Sequence, residues 1–137
     1  MNQCTDDYAL IGQRYGRHLR VVLEMPKSVS WNDLLRKNHW QVTEVTDVVR
    51  LEVMAALHEL AVWPEPFSAP VHITITNYKG NKRWLDADNI PAKLYIDALK
   101  LNGVLVDDNP SFLCGVTTIS RIDAAWPRIE IDIMEVA

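Results

Sequence analysis

Between Gln41 and Ala61 the apolar residues Val42, Val45, Val49, Val53, Ala56, Leu57 and Leu60 recur at spacings of three and four, while Glu44, Asp47, Arg50 and His58 occupy the opposite face. This pattern predicts an amphipathic helix over residues 41–61, and a helix with one apolar stripe has to bury it against a partner. The flanking segments supply one. Leu19, Val21, Leu23 and Met25 alternate with Arg20, Val22 and Glu24, which predicts a strand from His18 that Pro26 ends. Val71, Ile73 and Ile75 alternate with His72, Thr74 and Thr76, a second strand. Residues 26–40 between the first strand and the helix read as a loop of turn formers, aromatics and bases, and Pro64, Pro66 and Pro70 mark a short connector.

Downstream, Gly80 and Asn81 open a loop toward Asp86, and a second helix is expected from about Asn89 to Leu101. Asn89 suits its N-cap, Pro91 its first turn and Gly103 the left-handed position past its end. Asp107-Asp108-Asn109-Pro110 is a turn, followed by β-rich segments over Phe112–Ile122 and Arg128–Val136 joined near Ala125–Pro127. The order β-α-β-α-β-β predicts an α+β domain, a mixed sheet with two main helices packed on it. Residues 1–16 show no period and read as a partly ordered arm, leaving 17–137 as a single domain.

No apolar run approaches the ~18 residues a membrane span needs, and the opening residues do not read as a secretory signal. Cys4 and Cys114 have neither a disulfide framework nor a metal-ligand spacing, which fits thiols in a reducing cytoplasm. His18, His39, His58 and His72 also lack ligand spacing and read as structural or surface residues.

The net charge of −4 argues against a protein that coats nucleic acid by bulk attraction. The charge is unevenly placed, however. Residues 14–39 hold six Lys/Arg against two acids, and Lys79, Lys82 and Arg83 follow with no acid between them. Asp86, Asp88, Asp97, Asp107 and Asp108 concentrate the acid, and two divalent cations among them would bring −4 to 0.

Asp86 and Asp88, two apart in a segment read as extended, should point to the same side. Asp107 and Asp108 follow the second helix. That helix would be ~20 Å long, so the pairs meet only if residues 104–108, with roughly 16 Å of reach, double back along it. Carboxylates without nearby His or Cys suit Mg²⁺, or Mn²⁺, better than zinc. Such cations stabilise the charge that develops when a phosphodiester is hydrolysed, and they generate hydroxide at neutral pH. A calcium loop starting at Asp86 fits badly, because Pro91 stands where its glycine belongs. Asn89, Lys93 and Asp97 form a polar stripe at i, i+4 and i+8. Lys93 reads either as a surface partner of Asp97 or as a charge near the scissile phosphate.

The stretch Asp86-Ala87-Asp88-Asn89, Lys93, Asp97-Ala98-Leu99, Gly103-Val104-Leu105 and Asp107-Asp108 resembles the signature of the RusA family of Holliday junction resolvases. A looser upstream match adds Pro26, Ser28, Asn32, Arg36, Lys37, His39 and Trp40, so the resemblance covers roughly residues 18–136. It implies a RusA-like fold and a homodimeric, Mg²⁺-dependent endonuclease of phage or prophage type. Such an enzyme binds four-way DNA junctions and nicks two opposed strands in recombination and repair. The resemblance places the catalytic carboxylates on Asp86, Asp88 and Asp108, with Asp107 as an accessory metal ligand and Lys93 as the catalytic lysine. Two departures stand out: Lys93 lies four residues after Asn89, one more than in the best-known member, and the basic run before Asp86 is thin.

Arg36, Lys37, Lys82 and Arg83 are the expected phosphate contacts, with Trp31 and Asn32 also on the DNA side. Trp40 is expected to staple the start of the first helix into the core, leaving Trp31 and Trp84 exposed. Rival readings are a flap nuclease or other metal-dependent phosphohydrolase, and a junction-binding protein without catalysis. The five glycines form no phosphate cradle, which disfavours a nucleotide enzyme.

Overall fold

The computed structural model describes residues 16–83 and 85–136. The expected arm falls outside them except for Gly16, as do Trp84 and Ala137. The chain forms β1 (His18–Glu24), α1 (Trp31–Leu35), α2 (His39–His58), β2 (Val71–Lys79), a 3₁₀ turn (Ala87–Asn89), α3 (Ala92–Leu101), β3 (Leu113–Ile122) and β4 (Arg128–Glu135). Among the described residues no helix is long and apolar enough to cross a membrane.

The four strands lie in the order β1-β4-β2-β3. β4 pairs antiparallel with both β1 and β2, while β2 and β3 are parallel. The sheet is therefore mixed and the domain is α+β, as the periodicities predict. A parallel pair needs a crossover rather than a hairpin. Residues 80–112 are that crossover, so the whole acidic motif lies within one β-α-β connection.

Alternation divides the sheet into two unlike faces. Val21, Leu23, Ile73, Ile75, Ile129, Ile131 and Ile133 form one core with Val45, Val49, Val53 and Leu57 of α2 and Tyr95, Ile96 and Leu99 of α3. The other face of β4 is polar, with Arg128 and Glu130 nearly buried. Arg128 donates to Glu130 at 2.7 Å and Asp123 at 2.8 Å, and lies 3.7 Å over the Tyr78 ring. Its hydrogen bond is the main reason the Asp123 carboxyl sits below the usual range.

The element boundaries correct the sequence reading in three places. Residues 26–40 are not all loop, because α1 forms within them, capped by Ser30 Oγ accepting from Asp33 N at 3.1 Å. The long helix begins at His39, two residues early, and ends at His58, three residues early. Asn38 Oδ1 accepts from Gln41 N and Gln41 Oε1 accepts from Asn38 N, both at 3.0 Å, a capping box that satisfies two otherwise orphaned donors. Asn89 does not cap the second helix. The chain turns first through Ala87–Asn89, and α3 starts after Pro91.

Candidate functional site

The site residues come from α1, two loops and the crossover helix. α1 carries Trp31 and Asn32, the turn between α1 and α2 carries Arg36 and Lys37, and the β2–α3 loop carries Lys82, Arg83, Asp86 and Asp88. Two contacts tie these segments together although they are far apart in sequence. Asn32 N donates to Asn89 Oδ1 at 2.9 Å, and Lys79 Nζ donates to Ser28 Oγ at 2.9 Å. The side expected to meet DNA and the first aspartate pair are thus physically joined. Asn89 serves as the tie rather than as a helix cap.

Arg36, Lys37, Lys82 and Arg83 are exposed, and none has a carboxylate partner among the described residues. Arg83 is oriented through its backbone, whose N–H donates to Asn81 Oδ1 at 3.0 Å. The aromatic expectation is reversed. Trp40 does not staple the helix: it is 77% exposed. Trp31 is half-buried and packs on the core. Trp84 lies outside the described residues.

Asp86 and Asp88 do not lie in one extended run. Asp86 is extended (φ −61°, ψ 144°) and Asp88 sits inside the 3₁₀ turn. Both carboxylates are exposed, and neither has an ion pair to a described residue.

The chain does reverse after α3. Gly103 takes φ 75°, and Val104 N donates to Leu99 O at 2.9 Å. The return is short. Phe67 N donates to Val104 O at 2.7 Å and Val106 N to Phe67 O at 3.4 Å, so the segment is stitched to the β2 approach instead of running along the helix. Asp107 and Asp108 stop beside Lys100, whose Nζ lies 3.5 Å and 3.3 Å from their Oδ1 atoms. Asp107 is further held by Asp108 N at 2.8 Å and by Asn109 Nδ2 at 3.0 Å. The Asp108 backbone N–H does most to lower the Asp107 carboxyl below its usual range. The hydrogen bond to Asp108 does most to raise the Lys100 ammonium.

Among the described residues no three His, Cys, Asp or Glu side chains are gathered closely enough to hold a metal ion. The donor chemistry still suits a hard divalent cation. Residues 86–108 offer carboxylates and no thiol or imidazole, and the 107–108 pair already holds the Lys100 ammonium, a monovalent cation, between its oxygens. Lys93 meets the simpler of its two expectations, an ion pair with Asp97 at 3.3 Å. The sequence reading missed Lys100 and the exposure of Trp40, and it placed Lys79 only in a basic run. The spacing Lys100 to Asp107 gave no cue, because it depends on the Gly103 reversal.

No family model matches the chain, and no curated protein matches it significantly.

Proposed function

We propose that this chain is a Mg²⁺-dependent endonuclease of the RusA type, acting on branched DNA and on four-way junctions above all. The observation that carries the reading is the placement of the multi-part motif. Asp86 and Asp88 precede one crossover helix, Lys93 and Asp97 lie on it, and Gly103 turns the chain so that Asp107 and Asp108 return to its last turn. Asp86, Asp88 and Asp108 are the carboxylates proposed to hold the cation, with Asp107 accessory. They are not gathered among the described residues, so cation binding would have to draw them together. The bound ion would supply charge stabilisation and an activated water. Asp107 is the least available of the four, since both of its oxygens already accept hydrogen bonds.

The protein's own cations serve binding. Arg36, Lys37, Lys82 and Arg83 are exposed, in segments adjoining those tied by the Asn32–Asn89 and Lys79–Ser28 contacts. Trp40, exposed at the start of α2, is the aromatic available for stacking on an unpaired base. Paired nicking needs two sites related by the junction's own symmetry, which calls for a homodimer. Leu35, Leu51, Met54 and Leu101 are exposed apolar residues from which an interface could be built.

A junction-binding protein without catalysis is the second reading, favoured by the Lys100 contacts that occupy Asp107 and Asp108. Asn substitutions separate the two. Asp86→Asn, Asp88→Asn and Asp108→Asn should each abolish Mg²⁺-dependent nicking while junction affinity is kept or raised, because removing like charge eases the approach of phosphate. Near-full activity in any one of them would remove that carboxylate from the proposed ligand set. Absence of nicking in the unsubstituted protein, with tight junction binding, would select the second reading.

A further inference from the structure

A cleft of about 350 Å³ opens where β1 and β2 end and β4 begins, lined by Met25–Ser28, Asn77–Asn81 and Pro127–Ile129. Its composition is unlike the rest of the chain. In a protein of net charge −4, the lining includes Lys27, Lys79 and Arg128 and not one carboxylate.

The three cations are not equivalent. Arg128 is committed to Glu130 and Asp123 on the polar face of the sheet. Lys27 is anchored through its backbone N–H, which donates to Glu52 Oε2 at 2.7 Å. Lys79 has no carboxylate partner among the described residues, and its ammonium is held by the neutral Ser28 hydroxyl at 2.9 Å. That bond uses one of three donors and fixes the position of the other two. Asn77, only 6% exposed as a residue, lines the same cleft from the strand that carries Lys79. Gly80 completes the wall. A Cβ there would meet Pro127 Cγ at 2.7 Å, so the backbone passes close over the proline and any side chain would crowd the entrance.

We infer that this cleft is a seat for a phosphodiester of the DNA backbone, with the Lys79 ammonium and the Asn77 amide as donors to the phosphate oxygens. Fixed donors and a missing counter-ion favour an anion. The apolar wall of Met25, Pro26 and Pro127 favours one that carries a deoxyribose over a bare ion. The seat lies between the β1–α1 loop and the β2–α3 loop that carries Lys82 and Arg83, so it would set the register of a DNA arm on the protein without reading its sequence. The assignment of the anion to DNA rests on the nuclease reading above.

The test has two arms. In the first, amide NMR follows titration of the whole protein with a thymidine dinucleotide and, separately, with inorganic phosphate. The Gly80 backbone and Asn77 side-chain signals should shift saturably with the dinucleotide and less with phosphate. Lys79→Met, with an unchanged thermal midpoint, should lose both responses. In the second arm, junction affinity is measured without divalent cation across a salt series, and Lys79→Met should lower the log–log slope by about 0.9, the value of one phosphate contact. No shift at Gly80 or Asn77 overturns the seat, and equal response to inorganic phosphate overturns its assignment to a DNA backbone. A wild-type slope in Lys79→Met overturns the seat and leaves the nuclease reading standing. A dinucleotide response in a protein that binds no junction keeps the seat and overturns the nuclease reading.

Discussion

Gly103 holds the reversal that brings Asp107 and Asp108 to Lys100, and replacing it by alanine isolates a single physical effect. Its φ is 75°, and a Cβ built there meets nothing within 4 Å. The cost of Gly103→Ala is therefore conformational and not steric. An L-residue held in the left-handed region loses about 1–2 kcal/mol. Alanine also restricts the unfolded chain, which offsets about 0.4–1 kcal/mol of that loss. Taking the middle of each range, the net destabilisation is about 0.8 kcal/mol. With a urea slope of about 2 kcal/mol per molar for a chain of this size, the midpoint should fall by roughly 0.4 M. Gly103→Asn should lose less, because asparagine enters the left-handed region more readily, and Gly103→Val more, because its branched side chain is stiff. Equilibrium urea unfolding followed by tryptophan fluorescence reads all three. An unchanged or raised midpoint for Gly103→Ala would deny the left-handed backbone. A loss beyond about 3 kcal/mol would mean that a clash, and not conformation, dominates.

Two further perturbations test the packing around the site. Burial does most to raise the Glu52 carboxyl above its usual value, and Lys27 N only partly offsets this. A raised acid stabilises the fold below its unfolded pKa and loses that contribution as pH rises through the folded value. Glu52→Gln should therefore gain urea stability relative to the unsubstituted protein between about pH 4 and pH 7, and a difference that shrinks with pH would reverse the assignment. On the sheet's polar face, Arg128→Met leaves Glu130 with only Arg20 Nε at 3.9 Å. The expected loss is about 1–3 kcal/mol, because removing one partner of a nearly buried pair leaves the other largely unsatisfied. The double variant Arg128→Met/Glu130→Met should recover part of the loss. A double variant as damaged as the sum of the two singles would show that the ion pair is not coupled.

The fold was readable from periodicity because the core is one-sided. Ile129, Ile131 and Ile133 in β4, and Val45, Val49 and Val53 in α2, each follow the period of their element. Strand order was not readable. That β4 inserts between β1 and β2 depends on pairings across 50 residues or more, and no local spacing encodes them. Helix starts were missed where the cap, and not the apolar stripe, sets the boundary. The Asn38–Gln41 capping box was visible as a polar pair three apart, but the stripe begins only at Val42. In the site, residue types were legible and their company was not. Asp107 and Asp108 were singled out, but the short return after Gly103 that gives them Lys100 follows from backbone hydrogen bonds to Phe67, far upstream. Trp31 and Trp40 exchanged roles because exposure depends on where α1 packs.

The central claim is that the acids flanking α3 serve Mg²⁺-dependent cutting of branched DNA. The most direct measurement is strand-by-strand mapping of nicks on a four-way junction labelled in turn on each strand, with Mg²⁺ and with chelator, beside a linear duplex of the same sequence. The account predicts nicks at symmetry-related positions in two opposed strands, dependent on Mg²⁺, with the linear duplex left largely intact. Equal cutting of the duplex, or no cutting of any branched DNA in Mg²⁺ or Mn²⁺, would contradict it.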